Sequence, residues 1–234
     1  MNMAPEGPMA IPLWVNGHAF LTVTESFYDV VDAQTGEAVR RVPLCGAAEA
    51  GEAARAAKAA QPAWAALTAA ERQAHLAALA DALAGYAGHF AKLVRQETGK
   101  DEADAAAEVD AAVAALRGAA PSGQAGVVAV VTDAGRPLAA LAELMAPALA
   151  AGATVVCKPS PKAPSAAFAL CELSTRAGWP AGVLNLMQGD EAAIDGLCSA
   201  AEIDRLAYGG DAALGERIAP IAARHGKPFA AQGR

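Results

Sequence analysis

The chain of 234 residues is long enough to bury a substantial hydrophobic core, as one large domain or two small ones. Hydrophobic residues make up 54% of it but aromatic residues only 5%, so its helices must pack closely through small side chains, mainly alanine. A formal net charge of -7, with no basic run to offset it, argues against nucleic acid or an anionic membrane as a partner.

The four cysteines form no CxxC pair, and none lies near a histidine at metal-ligand spacing. We therefore expect neither a metal site nor a disulfide framework. The start of the chain lacks the basic and apolar regions of a signal peptide, and no stretch of about 18 residues is apolar enough to span a membrane. These features predict a cytoplasmic chain without a membrane anchor. The Pro- and Gly-rich residues 1–10 predict a flexible tail.

Two β-hairpins and a helix are predicted first along the chain. Residues 13–23 hold two apolar runs around an Asn-Gly pair, which favours a tight turn. Residues 29–42 repeat the pattern around a Thr-Gly pair. The period then changes, and residues 47–60 predict a helix that ends near Pro62.

Two further helices follow before a joint in the chain. Thr68 and Glu71 form a capping box, in which the two side chains bond the free amides of a first helical turn. The apolar stripe of this helix continues at steps of three and four until Gly99. An Ala-rich helix is predicted over 101–116, and residues 118–123 form the joint.

The second half of the chain alternates short apolar runs with helical patterns. Residues 127–131 are a continuous Val-rich run, typical of a parallel strand that is covered on both faces. Parallel strands joined by helices form an open, doubly wound sheet. The sequence predicts an α/β fold with a mostly parallel, five-stranded, Rossmann-like sheet, on which the N-terminal hairpin and helical segment pack. We expect one nucleotide-binding domain over 11–234, composed of a hairpin and helical part, 11–120, and a Rossmann-like part, 123–234. The other four strands are predicted at 154–157, 183–187, 205–208 and 228–231.

Five collinear segments carry a family resemblance. They are Trp-Val-Asn-Gly at 14–17, Glu-Thr-Gly-Lys at 97–100, the run from Pro147 to Ser160, residues 177–185 with Gly189 after them, and residues 206–215. Together they span nearly the whole chain, which resembles the aldehyde dehydrogenase superfamily. The resemblance implies that family's nucleotide-binding domain, where a nicotinamide cofactor lies across the carboxyl ends of the strands. It also implies truncation, because family members continue into a domain that carries the nucleophilic cysteine.

Two internal departures from the family concern the chemistry. The family's Asn that donates to the developing oxyanion is matched by Gly135, which has no side chain to donate. Loss of one such donor typically costs about a hundred- to a thousand-fold in rate. The family's general-base Glu is matched by Ala230, which accepts no proton. We therefore predict no catalytic residues and no enzyme activity for the chain alone.

The resemblance also implies positions that contact the cofactor. Lys158 matches a lysine that bonds the adenosine ribose or its 2′-phosphate, although a solvated strand exit is the alternative. Asp211 stands where a small polar residue begins a helix at the pyrophosphate. As an N-cap its carboxylate can occupy the helix amides, and it would repel a diphosphate by roughly 1 to 4 kcal/mol. We expect no bound cofactor, or else NAD or NADP held weakly, at Lys158, Ser160, Gly189, Gly209, Gly210 and Asp211.

Three functions fit these features. The first is a non-catalytic, aldehyde-dehydrogenase-like subunit with a structural or regulatory role, docked to a full-length aldehyde dehydrogenase or another enzyme. The second is a sensor that binds NAD(P) or another adenine nucleotide at Lys158. The third is an incomplete NAD(P)-dependent aldehyde oxidoreductase that another chain completes.

Overall fold

The computed structural model describes residues 8–233, so most of the predicted tail, residues 1–7, lies outside the described part. Its first half contains two hairpins and four helices. Their bounds are β1 (Leu13–Val15), β2 (His18–Phe20), β3 (Phe27–Val31), β4 (Ala38–Pro43), α1 (Ala47–Ala66), α2 (Ala69–Gly85), α3 (Ala87–Thr98) and α4 (Glu102–Arg117).

Strands and helices alternate in the second half, as predicted. Their bounds are β5 (Val127–Thr132), α5 (Ala139–Ala150), β6 (Thr154–Lys158), α6 (Ser165–Arg176), β7 (Leu184–Leu186), α7 (Glu191–Ser199), β8 (Arg205–Gly210), α8 (Ala212–Arg224) and β9 (Phe229–Gly233). None of the helices within residues 8–233 has the length and apolar character needed to cross a membrane.

The main sheet confirms the α/β prediction and enlarges it. Its strand order is β2-β1-β7-β6-β5-β8-β9, and the last five of these strands are the predicted parallel ones. The first hairpin does not merely pack on the sheet but extends it to seven strands, because Trp14 pairs antiparallel with Leu186. The second hairpin, β3 and β4, forms a separate two-stranded sheet.

Strand β5 shows why a continuous apolar run marks the middle of this sheet. Successive side chains of a strand point to opposite faces. Val128 and Val130 join the hydrophobic cluster built with α2, α4 and α5, whereas Val127 and Val131 join the one built with α1, α7 and α8. Both faces of the strand are therefore covered, and all six of its residues are buried.

Small residues bring α1 and α7 together, as the alanine-rich composition predicts. Ala50, Ala53 and Ala57 of α1 are fully buried along one helix face. Gly196 of α7 lies so close to α1 that a Cβ there would stand 2.9 Å from the Cα of Ala47. The two helices thus pack almost backbone to backbone, which leaves no room for larger side chains at the crossing.

The prediction that Pro62 ends the first helix is wrong. Helix α1 continues to Ala66 with Pro62 inside it. A proline inside a helix costs about 3 kcal/mol, so packing of the last turn must offset that cost. Trp64 supplies this packing, because its indole Nε1 donates to the carbonyl of Leu149 at 3.0 Å and its ring stacks on Trp179.

The second predicted helix also differs, since it is two helices. The Thr68 capping box is confirmed, but α2 ends at Gly85 and α3 begins at Ala87. Tyr86, which the apolar stripe placed within one helix, has non-helical backbone angles and is 50% exposed. Periodicity could not reveal this break, because Leu83 and Phe90 on either side of it are both buried.

Two buried carboxylates, Glu97 and Glu108, anchor the segment at 97–100. Glu97 accepts a hydrogen bond from the amide of Ser165 at 3.0 Å and therefore holds the start of α6. Burial raises the pKa of Glu97, although its bonds to Ser165 oppose that change. Lys100 forms an ion pair with Glu108, which accepts from the amide of Leu138 at 3.0 Å next to α5.

Candidate functional site

A candidate site lies at the sheet edge where the strand order reverses. Strand β5 has β6 on one side and β8 on the other, and the helices that follow these strands cover opposite faces. Ligands of doubly wound folds bind outside the carboxyl ends of the strands at such a point. Two cavities open there, of about 420 and 450 Å³. We name them the Lys158 cavity and the Arg136 cavity after residues that line them.

Lys158 is the last residue of β6 and lines the Lys158 cavity. It is only 4% exposed, and no salt bridge within the described residues involves it. Burial lowers the pKa of its ammonium group to about 8, while the charge of nearby Asp190 opposes that change. The side chain is thus a buried cation without a bonded anion, which is costly unless a ligand supplies one.

Thr132, which also lines the Lys158 cavity, carries a second unsatisfied group. It ends β5, and its Oγ1 is buried with no hydrogen-bond partner among the described residues. Buried hydroxyl groups normally have a partner, so an orphaned one calls for an explanation. A ligand anion in the cavity would offset the charge of Lys158.

The opposite wall of the Lys158 cavity is apolar. Ile194 of α7 and Ile218 and Ile221 of α8 form it, and all three are buried. The rim is mixed in charge, with an ion pair of 2.6 Å between Arg217 and Glu191. An apolar wall facing a few polar groups is the usual composition of a small-molecule site.

Ser160 lies at the entrance of the Lys158 cavity, in the turn after β6. Its Oγ accepts a hydrogen bond from the amide of Lys162 at 3.3 Å, and its carbonyl accepts from the amide of Ala163 at 3.1 Å. Ser160 therefore shapes the loop and is only partly buried. The predicted contact of Ser160 with a cofactor stays a prediction.

The start of α8 is occupied by the chain's own carboxylates. Asp211 is the N-cap, as predicted, and its Oδ1 accepts from the amides of Ala213 at 3.0 Å and Leu214 at 3.2 Å. The Oδ2 of Asp133 accepts from the amide of Asp211 at 2.8 Å. Free amides and the helix dipole attract an anion to a helix N-terminus. Here two internal anions already hold that position.

Sequence reasoning missed Asp133, although it noted the segment that contains it. The residue follows β5 directly, and its Oδ1 accepts from the amide of Gly135 at 2.9 Å. The loop after β5 therefore folds back on itself and is tied to α8 through a second bond of the same carboxylate. The available signal was an Asp at the carboxyl end of a central strand, where a polar residue points toward the site.

The three glycines predicted to contact a cofactor all pack against protein. A Cβ on Gly210 would lie 2.4 Å from the Cγ of Asp133, and one on Gly209 would lie 2.9 Å from a methyl carbon of Leu144. At Gly189 the nearest groups are the side chain of Ala193 and the backbone of Cys45. The space at each glycine is therefore filled from inside the molecule, while contacts of their backbones with a cofactor stay predictions.

The positions that the resemblance links to catalysis hold no reactive side chain. Gly135 lines both cavities, and Ala230 lies exposed in the edge strand β9. All four cysteines of the chain are buried and free. Burial raises the pKa of the Cys45 thiol to about 12 and that of Cys198 to about 11. Because the thiolate is the nucleophile, neither cysteine is reactive near neutral pH.

The described residues contain no group of three His, Cys, Asp or Glu side chains that could hold a metal ion. The predicted absence of a metal site is consistent with this finding but is not tested by it. The polar groups at the strand ends are an ammonium, a hydroxyl and amide-bonded carboxylates, which suit an organic ligand.

The chain is similar in sequence to known proteins over most of its length. A sequence model of the aldehyde dehydrogenase family matches residues 20–125 and 122–233. Malonate-semialdehyde dehydrogenase of Pseudomonas aeruginosa is 34% identical over 88% of this chain and 46% of that protein. Non-phosphorylating aspartate-semialdehyde dehydrogenase of Halomonas elongata is 33% identical over 81% of this chain and 43% of that protein.

Solved structures show the same fold. Lactaldehyde dehydrogenase from Escherichia coli matches with a TM-score of 0.90 and 26% identity, over 97% of this chain and 52% of that one. Aldehyde dehydrogenase C from Pseudomonas syringae, solved with NAD+ and octanal, matches with a TM-score of 0.89 and 26% identity, over 98% of this chain and 51% of that one. The chain spans about half the length of the relatives it matches. It belongs to the aldehyde dehydrogenase family.

Proposed function

We propose that this chain is a non-catalytic member of the aldehyde dehydrogenase family, acting as a structural or regulatory subunit of a larger enzyme assembly. The observation that carries the proposal is that the Asp133 carboxylate accepts two hydrogen bonds. It accepts from the amide of Gly135 at 2.9 Å and from the amide of Asp211 at 2.8 Å. The loop after β5 stands, by the resemblance, where the family has its oxyanion donor. Here this loop is hydrogen-bonded within itself and to the start of α8.

The lack of reactive groups supports the same proposal. By the resemblance, Gly135 and Ala230 stand at the positions of the oxyanion donor and the general base. Neither residue can donate from or accept on a side chain. Cys45 and Cys198 are held as thiols by burial, so neither is an activated nucleophile.

A partner subunit is the second part of the proposal. Strand β9 forms one edge of the main sheet, and Ala230, Ala231 and Gln232 in it are exposed. Leu21 and Val23, just after the other edge strand β2, are 76% and 103% exposed. Exposed strand edges and apolar side chains favour association with another chain. We propose a full-length aldehyde dehydrogenase, or another enzyme, as that chain, in a cytoplasmic setting.

Absence of catalysis is tested by assaying the purified chain for oxidation of malonate, succinate and glutarate semialdehydes with NAD or NADP. A full-length relative serves as the positive control. We expect no reduced cofactor above the rate of a blank without protein. Cofactor-dependent oxidation that disappears in a Lys158→Ala variant would contradict the proposal.

The partner is tested by purifying the tagged chain from its native source and identifying by mass spectrometry what accompanies it. We expect one enzyme in a fixed ratio, and a change in that enzyme's rate when the chain is added back. Purification of the chain alone would refute the subunit role. Recovery of aldehyde oxidation with a partner that carries the missing catalytic domain would instead support the incomplete oxidoreductase.

A second candidate function is supported by the Lys158 cavity. Lys158 and Thr132 both line it, the ammonium without a bonded anion and the hydroxyl without a hydrogen-bond partner among the described residues. Keeping two unsatisfied polar groups in the core costs stability, which a bound ligand would restore. We propose, as the alternative, a sensor for an adenine nucleotide such as NAD or NADP. Calorimetric titration decides it, since no heat at millimolar ligand removes this candidate.

A further inference from the structure

We propose that a cavity at the amino ends of β5 and β8 is a second ligand site, which binds the phosphate group of a small organic phosphate monoester. The cavity has a volume of about 600 Å³ and is lined by α1, the loop 123–126 and the start of β8. We name it the Arg205 cavity. Because β5, β6 and β8 are parallel and Lys158 ends β6, the Arg205 cavity lies at the opposite edge of the sheet from the Lys158 cavity. This site is therefore separate from both candidate functions above.

Arg205 is the residue that points to an anionic ligand. It is the first residue of β8, it is partly buried, and no salt bridge within residues 8–233 involves it. Burial lowers the pKa of its guanidinium group, while the charge of nearby Asp204 opposes that change. A partly buried charge without a bonded counter-ion is costly unless a ligand supplies one.

The guanidinium group of Arg205 lies against the loop 123–126. A Cβ on Gly123 would stand 3.2 Å from the Nη2 of Arg205. Gly123 also has a φ of 83°, in the left-handed region that favours glycine, so both its contact and its conformation exclude a side chain there. The guanidinium is thus held beside the loop backbone. Its planar fork of N–H donors matches two oxygens of a phosphate group.

The same loop offers backbone donors. Gly123, Gln124, Ala125 and Gly126 all line the Arg205 cavity and lie outside the helices and strands. None of their amides donates to a backbone carbonyl in the described part of the chain. Successive amides without backbone acceptors are a recurrent feature of phosphate sites. They would add neutral donors to the charged fork of Arg205.

The charges that line the Arg205 cavity favour an anion. Lys58 of α1 adds an exposed ammonium group that also takes part in no salt bridge of the described residues. Asp204 adds one carboxylate, but its Oδ2 accepts from the amide of Val127 at 2.7 Å and is held at the start of β5. Two cations against one bonded carboxylate give the cavity a net positive charge. A phosphate monoester carries about −1.5 to −2 at neutral pH and complements it better than a single carboxylate does.

The ligand class is tested by calorimetric titration at low salt with glycerol 3-phosphate, inorganic phosphate, succinate and glycerol. We expect both phosphates to bind and to raise the Tm of the chain, because a ligand of the folded state stabilises it. Glycerol should not bind, and succinate should bind at least about threefold more weakly than glycerol 3-phosphate. No heat from either phosphate at millimolar concentration would overturn the proposal, and so would succinate binding as tightly as glycerol 3-phosphate.

Variants locate the bound phosphate. Arg205→Gln and Lys58→Gln should each weaken binding of glycerol 3-phosphate at least about fivefold. Lys92→Gln is the matched control and should leave the affinity unchanged, because Lys92 is an exposed lysine of α3 that does not line the Arg205 cavity. Affinities of the Arg205 and Lys58 variants equal to that of the wild type would show that phosphate binds elsewhere and would overturn the proposal.

A third variant guards against loss of binding through unfolding. Asp204→Asn removes the negative charge from the cavity wall, and the Asn carbonyl can still accept from the amide of Val127. It should strengthen binding of glycerol 3-phosphate at least about twofold, a gain that an unfolded protein cannot give. Thermal melts of every variant without ligand confirm that each is folded. Weaker binding by a folded Asp204→Asn variant would contradict the assigned charge balance and overturn the site.

Discussion

Replacing Lys158 with Met should make the protein more stable near neutral pH. The side chain is 4% exposed and has no bonded anion, and burial lowers its pKa from 10.5 to about 8. At about 1.4 kcal/mol for each tenfold change, keeping the ammonium charged costs the folded state about 3 kcal/mol. Met has a similar volume and no charge, so the variant avoids this cost.

The pKa shift of Lys158 determines how the stability gain of the Lys158→Met variant changes with pH. The folded pKa of Lys158 lies below the unfolded one, so the cost is fully present below about pH 8 and vanishes as the pH rises through 10.5. We therefore expect Lys158→Met to raise the free energy of unfolding by about 3 kcal/mol at neutral pH and by little near pH 10. Asp190, Glu191, Asp133 and Arg217 line the same cavity and are left in place by the substitution.

Urea unfolding followed by circular dichroism at the two pH values measures both quantities. Lys162→Met is the control, because Lys162 lines the same cavity but is exposed. Its stability should change by less than about 0.5 kcal/mol at either pH. A Lys158→Met variant that is less stable than the wild type at neutral pH, or equally shifted at both, would refute the reasoning that Lys158 is an unpaired buried cation.

Three substitutions test the packing and capping that position the site, each by urea unfolding. Gly196→Ala should destabilise the protein by about 1 to 3 kcal/mol, because its Cβ would meet the backbone of Ala47 at 2.9 Å, whereas exposed Gly88→Ala in α3 should stabilise it by about 0.5 kcal/mol. A smaller effect for Gly196 than for Gly88 would contradict the close α1–α7 crossing. Leu79 is fully buried in α2, so Leu79→Ala should lower the free energy of unfolding by about 2 to 5 kcal/mol. A loss of less than about 1 kcal/mol would show that Leu79 is not part of the core. Thr68→Ala removes the acceptor for the amide of Glu71 and should lower the free energy of unfolding by about 1 kcal/mol. An unchanged free energy of unfolding would show that the cap does not stabilise the helix.

Features with a local cause could be predicted from the sequence. The Asn-Gly turn requires positive φ at both residues, and the structure has φ of 53° at Asn16 and 80° at Gly17. The Thr68 cap and the Asp211 cap likewise depend on side chains that bond amides two or three residues away. Strand β5 was predictable because a strand covered on both faces is apolar at every position.

Features that depend on contacts between distant parts of the chain could not be predicted from the sequence. Asp133 bonds an amide 78 residues further along the chain, and no local pattern reports that contact. The first hairpin joins the sheet through Trp14 and Leu186, which are also far apart in sequence. The first helix was predicted to end near Pro62 because proline is unfavourable inside a helix. The helix continues because Trp64 bonds Leu149 and stacks on Trp179, contacts that the local sequence does not report.

The same limit applies to the predicted cofactor positions. Lys158 and Ser160 come together at the Lys158 cavity, and Gly209, Gly210 and Asp211 at the Arg136 cavity, as strand ends at one sheet edge should. What the sequence could not show is that the glycines are packed against side chains of the chain itself. Room left by a glycine is a site for ligand only if no neighbour fills it.

The most direct measurement is a crystal structure of the chain grown in millimolar NAD. We predict that the carboxylates of Asp133 and Asp211 stay on the amides of the α8 start, with no ordered diphosphate beside them. Any ordered ligand density should lie between Lys158 and the apolar wall of α8. An ordered NAD whose diphosphate has displaced Asp133 and bonds the α8 amides, with a reactive thiol facing its nicotinamide, would contradict the account.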